Sequence, residues 1–200
     1  MSRRRSPVLL VLVALFAGAA CAENKFDYCL LCHGDHANGN YGIRAPKLSG
    51  MEPWYLNRQL ENFAAGIRGK PAEDVSGHEM MPVGQRVKQE DVLADAVTWL
   101  GTLQPRKPVP TVTGDVARGR QLYQNCTACH GAKGDGNVQL QAPALSARSD
   151  WYLVTQLRNF KAGLRGADER DALGAQMRAV GATLPDDQAI NDVVAYINTL

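Results

Sequence analysis

The chain has 200 residues, 45% of them hydrophobic and 21% charged, with a formal net charge of +2. That length allows one large domain or two small ones, and small domains have apolar cores thin enough to call for a cofactor to complete them. The positive charge sits at the N-terminus: without Met1–Ala22, which hold three Arg and no acid, 19 basic residues face 20 acidic ones, and the basic surface that nucleic acid or an anionic membrane needs is excluded.

The chain opens Met1-Ser2-Arg3-Arg4-Arg5 and then runs apolar from Pro7 to Ala20. A basic start, an apolar stretch and the small residues of Ala20-Cys21-Ala22 predict a secretory signal peptide over residues 1–22. The apolar run is short for a membrane span. Cys21 either leaves with the leader or becomes the lipidated first residue of a lipoprotein, although Gly18 stands where a lipobox usually has Leu.

Next comes Cys29-Leu30-Leu31-Cys32-His33, and Cys126-Thr127-Ala128-Cys129-His130 repeats the arrangement later. Cys-x-x-Cys-His is the pattern of covalent haem c attachment: two thiols form thioethers with the haem vinyls and the following imidazole ligates iron. Structural zinc and a redox dithiol are the alternatives for a single copy. Two copies, each with its His, point to two covalently bound haem c groups. They also use up the four motif cysteines, so no disulfide framework remains for an oxidising compartment.

The two histidines lie 97 residues apart, and that one offset holds without a gap to the last residue. It carries Gly39-Asn40 onto Gly136-Asn137, Ala45-Pro46 onto Ala142-Pro143, Trp54-Tyr55-Leu56 onto Trp151-Tyr152-Leu153, and Leu103 onto Leu200. Of 78 aligned positions, 30 are identical, which marks a tandem duplication. The predicted organisation is a leader (1–22), a first domain (23–103), a linker (104–113) and a second domain (114–200). Pro105, Pro108 and Pro110 make the linker extended and semi-rigid.

Within each repeat the reading is helical, with no stretch that reads clearly as strand. Gly114–Asn125 is a short helix leading into the second motif, with Val116, Leu122 and Tyr123 as its apolar positions. Its first-repeat counterpart is cut short at Glu23–Tyr28. Residues 45–50 and 142–147 are loops. Trp54–Ile67 places Leu56, Leu60, Phe63 and Ile67 on one stripe, and Trp151–Leu164 repeats it with Leu153, Leu157, Phe160 and Leu164. Gly66 and Gly163 suit helix stops. The last helices are Gln89–Leu103 and Asp186–Leu200.

A proximal His leaves the iron one more axial position. The first repeat offers Met51, Met80, Met81, His36 and His78; the second offers Met177, with Lys133 or water as the alternatives. The offset carries Met80 onto Met177, whereas Met81 falls on Arg178, Met51 on Arg148, His78 on Ala175 and His36 on Lys133. If the duplicated domains keep one coordination, Met80 and Met177 are the ligands, with Met81 and then His78 as runners-up. Arg68 and Arg165 recur as partners for haem propionates or as surface helix caps, and Trp54 and Trp151 as core or cofactor-pocket walls.

These residues resemble the class I c-type cytochromes, and specifically the dihaem cytochrome c4 family. The resemblance covers roughly Phe26–Leu200 and rests on the paired Cys-x-x-Cys-His motifs, Ala-Pro-x-Leu after each, Tyr-Leu-x-x-Gln-Leu in each middle helix, and Met80 and Met177 before the last helices. It implies an all-α fold of two tandem cytochrome c domains related by pseudo-two-fold symmetry, with haems facing each other across the interface. It implies that the Pro46 and Pro143 carbonyls accept the Nδ1–H of His33 and His130, which fixes the ligand tautomer. Family members are periplasmic, sometimes membrane-associated, and pass electrons to oxidases or between respiratory partners. The implied function is therefore a non-enzymatic electron carrier whose partners are redox proteins: an oxidase, a quinol-cytochrome c reductase or a dehydrogenase. The alternatives are a dedicated acceptor subunit of a periplasmic dehydrogenase, a haem enzyme acting on peroxide or thiosulfate, and a ligand sensor. The departure from the family is at the first repeat's N-terminus, where Ala22 stands at the position of Gly119.

Overall fold

A computed structural model describes residues 24–200. The leader, Cys21 and Ala22 fall outside the described residues. Nine α-helices are present among the described residues: α1 Tyr28–His33, α2 Pro53–Ala64, α3 Val75–Gln89, α4 Leu93–Thr102, α5 Val116–Leu122, α6 Gln124–His130, α7 Asp150–Lys161, α8 Ala172–Ala182 and α9 Asp187–Ile197. The only extended pairings among them are the isolated bridges Asn40↔Ala45 and Asn137↔Ala142, which are equivalent under the offset.

Local sequence accounts for most helix ends. Asp74, Asp115, Asp171 and Asp186 each accept backbone N–H groups from the first turn that follows, which satisfies donors the helix cannot pair internally. Pro53 starts α2, where its missing N–H costs nothing. Gly66 and Gly163 stop α2 and α7 in the left-handed region, at φ +65° and +72°.

The chain forms two helical cores. In the first, Tyr55 and Leu56 of α2 meet Val87, Leu93, Val97 and Leu100. In the second, Leu153 and Val154 of α7 meet Tyr123, Ile190, Val193 and Val194. Of the predicted stripes, Leu56 and Leu153 join these cores and Leu60 and Leu157 pack against them, Phe63 and Phe160 are buried along the two cavities, and Ile67 and Leu164 lie half-buried past the helix ends. Val116 departs from expectation. As the first residue after the Asp115 cap it lies at the helix tip and is 43% exposed.

One boundary departs from the sequence expectation, and two helices were not read from sequence. Gln89 ends α3 rather than opening the last helix of its repeat, which begins at Leu93. The segments that carry Met80 and Met177 are helices, α3 and α8, although the first contains Gly77, Pro82 and Gly84.

The stretch between α4 and α5 has no helix and is tied to both halves. Asn38 donates from Nδ2 to the Gln104 carbonyl at 3.2 Å and accepts the Arg106 N–H at 2.7 Å. Asp150 accepts the N–H groups of Thr111 and Val112 at 2.5 and 2.7 Å. Among the described residues no helix is long and apolar enough to cross a membrane.

Candidate functional site

Each Cys-x-x-Cys-His motif lies on a short helix, α1 or α6, that delivers its His to a cavity. The two sulfurs of each motif differ in exposure. Cys29 and Cys126 are half-buried, whereas Cys32 and Cys129 are exposed. Burial pushes the Cys29 and Cys126 thiols up to about 11, so both are neutral thiols near pH 7 until they react.

The histidines are fixed by matched bonds. His33 Nδ1 lies 2.6 Å from the Pro46 carbonyl, and His130 Nδ1 lies 2.7 Å from the Pro143 carbonyl. A carbonyl only accepts, so Nδ1 carries the hydrogen in both rings and Nε2 is left with its lone pair. Burial lowers the pKa of both imidazoles and outweighs the carbonyl bonds. Both therefore stay neutral, the form that ligates a metal.

The cavity around His33 is lined by Pro46, Leu56, Leu60, Phe63 and Met80. The cavity around His130 is lined by Cys126, Cys129, Pro143 and Met177 together with Phe160 and Val193. Met81 and His78 line neither cavity. Met81 Cε lies over Gly66, and His78 is exposed, with Nδ1 3.1 Å from the Gly69 carbonyl. His36 is an exposed residue of a short 3-10 turn, beside Asp35. Met51 lines both cavities, as do Tyr55, Gln59, Tyr152 and Gln156, so the two sites share a wall. Trp151 lines the first cavity from the second half of the chain, while Trp54 lines neither.

Arg68 and Arg165 are not surface caps; each is 7% exposed. Arg68 donates to Gln59 at 2.8 Å, and to Tyr152 and Gln156 at 3.0 Å. Arg165 donates to Gln156 at 2.8 Å, to Tyr55 at 3.0 Å and to Gln59 at 2.9 Å. Tyr55, Gln59, Tyr152 and Gln156 were not singled out as site residues from sequence; their recurrence at the shared offset was the available signal. Around this centre, Arg148 donates to the Gly50 carbonyl at 2.9 Å, Lys47 to the Ala147 carbonyl at 3.2 Å, and the Ala144 N–H to Glu52 at 2.6 Å.

These residues fit a pair of haem groups. His130 Nε2 is buried without a hydrogen-bond partner, which leaves its lone pair for a bond to iron. The two buried guanidiniums are bonded only to neutral Gln and Tyr side chains, and both Nε atoms are unpartnered. Such a pair calls for anions nearby, which haem propionates would supply.

The all-helical fold and the duplicated Cys-x-x-Cys-His sites define a c-type cytochrome that works in electron transfer. The cytochrome c family model matches residues 116–200. Cytochrome c4 of Azotobacter vinelandii is 30% identical, over 91% of this chain and 89% of that protein. A thiosulfate dehydrogenase electron acceptor of Stutzerimonas stutzeri is also 30% identical, over 84% of this chain and 76% of that protein. The crystal structure of reduced recombinant cytochrome c4 from Pseudomonas stutzeri superposes with a TM-score of 0.67 at 26% identity, over 88% of this chain and 95% of that one. The chain belongs to the cytochrome c4 family: two tandem cytochrome c domains carrying two covalently bound haem c groups.

Proposed function

We propose that the protein is a periplasmic dihaem carrier that passes single electrons between respiratory partners. In this reading residues 23–103 and 114–200 are the two domains and 104–113 the linker. Cys29 and Cys32 hold one haem and Cys126 and Cys129 the other; His33 with Met80, and His130 with Met177, are the axial pairs. The single observation that carries it is that each cavity receiving a motif His also receives, beside the shared Met51, one Met of its own, and the repeat offset equates these two positions. Bound there, each iron supplies a one-electron couple, and a soft thioether raises its potential relative to two imidazoles.

The chain's own residues do the rest. The Pro46 and Pro143 carbonyls hold the imidazoles in the ligating tautomer. Arg68 and Arg165 present cations to propionates where the cavities share a wall. Phe63 and Phe160, both buried, keep water from the cavities.

A redox titration followed by visible spectroscopy tests the reading. Two haems per chain and a weak sulfur-to-iron band in each ferric haem are expected. Met80→Leu and Met177→Leu should each abolish one band, and Met81→Leu neither. One haem per chain, or a high-spin ferric haem that binds carbon monoxide at rest, overturns it.

The relative named as a thiosulfate dehydrogenase electron acceptor favours a second reading, that of a dedicated acceptor subunit of a periplasmic dehydrogenase. Copurification of a stoichiometric dehydrogenase from the source membrane and periplasm separates the two. Turnover by the isolated chain with thiosulfate or peroxide would instead make it a haem enzyme.

A further inference from the structure

The helix that carries Met80 starts on a carboxylate held by both halves of the molecule. Asp74 is 4% exposed. Its Oδ1 accepts the Gly77 N–H at 3.2 Å, which caps α3, and the same atom accepts Asn159 Nδ2 at 2.9 Å. Asn159 is buried in α7 of the second half. Gly77 makes the room this carboxylate occupies: a Cβ there would lie 2.1 Å from Asp74 Oδ2.

Position in the helix gives this contact its leverage. Met80 follows the cap by less than two helical turns. Pro82 has no N–H for the preceding turn, so the first half of α3 has one backbone bond fewer to hold its alignment. The cap carries correspondingly more of it.

The first half does not return this contact in kind, although Arg170, next to the α8 cap, donates from Nη2 to the Ala65 carbonyl at 3.4 Å. Asp171 caps α8 through the Gly174 N–H at 2.9 Å, yet among the described residues it accepts no side-chain hydrogen bond from the first half. Asp171 instead lines the second cavity, where its charge acts on Arg58 and Arg165. Asn62, the offset equivalent of Asn159, is only half-buried.

We propose that Asn159 is a positioning residue for the first haem: from the second domain it holds the N-terminus of α3, and through it Met80, by a carboxylate–amide contact that the α8 cap lacks. The inference rests on reading Met80 as an axial ligand. It couples the first thioether to any shift between the two halves, as when a partner docks across them.

The test uses the holoprotein in a Met177→His background, where the red sulfur-to-iron band reports Met80 alone. Asn159→Leu removes the donor at similar volume. It should halve the band or more, and raise the affinity of the first haem for added imidazole about tenfold, the size that loss of one hydrogen bond to a carboxylate allows. Asn62→Leu should change neither. The exchange Asn159→Asp with Asp74→Asn should restore the band, because an amide at the cap accepts from Gly77 while donating to the new carboxylate. If Asn159→Leu does not fold, Asn159→Asp alone, with the exchange as its rescue, carries the same test. A band unchanged in the Asn159 variants overturns the inference and leaves the ligand reading intact. A band already missing from the Met177→His parent overturns the Met80 assignment and the inference with it.

Discussion

Arg165 Nη2 donates to the Tyr55 hydroxyl at 3.0 Å, and Arg68 Nη2 donates to the Tyr152 hydroxyl at the same distance. The repeat offset turns each bond into the other, so both halves use one device: an Arg anchored on its own Gln and reaching for the partner half's Tyr and Gln. Two buried cations meet at the wall between the cavities. Neutral dipoles accept from their Nη atoms, but leave both Nε–H groups and the charge unmet.

Arg165→Leu leaves the Tyr55, Gln59 and Gln156 oxygens short of donors. It should cost about 2–4 kcal/mol of holoprotein stability, measured by denaturant unfolding. Arg165→Lys should recover less than half of that, since an ammonium cannot reproduce the fork. Burial alone would raise the Tyr55 hydroxyl pKa, but the Arg165 and Arg68 charges outweigh it and hold the group below the usual tyrosine value. An ultraviolet pH titration should therefore find Tyr55 ionising at higher pH in Arg165→Leu than in the parent.

The repeat made much of this legible in advance. One offset paired the histidines, the prolines and the methionines, and the structure brings each set to matched cavities. Helix α3 was illegible because its glycines count against helix by propensity while serving packing. Gly84 lets α3 approach the α2 backbone: a Cβ there would lie 2.8 Å from the Ala64 N and 2.9 Å from the Leu60 carbonyl oxygen. Arg68 and Arg165 recur visibly, yet their partners lie 84 and 110 residues away. Only the docking of two halves, which no local pattern encodes, decides that these cations are buried. The contact of Asn159 with Asp74 escapes for the same reason, and because the offset equivalent of that pair does not form it.

Gly119 sits where α5 crosses α9, and a Cβ there would lie 1.9 Å from the Asp192 carbonyl oxygen. Backbone cannot step aside as a flexible side chain can. Gly119→Ala should therefore destabilise by about 3 kcal/mol despite its better helix propensity. Gly101, in α4, has nothing within 4 Å of the same point. Gly101→Ala should stabilise by about 0.5 kcal/mol. Thermal unfolding of the two variants checks that one substitution type carries opposite signs.

Asp150 gives a pH dependence. Burial would raise its pKa, but hydrogen bonds from Val112, Thr111 and Asn198 outweigh that and hold it below the ordinary carboxylate value. A depressed folded pKa means that the unfolded chain takes up the proton first. The stabilisation is thus fully present above about pH 4 and is lost as pH falls through the folded value. Asp150→Asn should lower the melting temperature at pH 7, and its deficit should shrink between pH 4 and pH 2. A deficit that stays constant over that range counts against the carboxylate as the anchor of Thr111 and Val112.

Haem attachment should also complete the second core. Cys126 packs against the cluster of Leu153, Ile190 and Val193, and the His130 cavity shares Leu153, Val193 and Ile197 with it. Without the group, these apolar side chains face a gap and lose contacts that nothing else replaces. The buried Asp192, which accepts from the Asp115 N–H, Gln188 and Arg118, would keep α5 on α9, but α7 and α8 would lose the filling between them and α6. Cys126→Ala with Cys129→Ala should yield a chain with one haem by alkaline pyridine spectroscopy. Its second half should be destabilised by about 5 kcal/mol or more, a loss comparable to the whole stability of a small domain. Hydrogen exchange should then show α7–α9 opening at low free energy while α2–α4 keep their protection, because the first core draws none of its buried members from those helices.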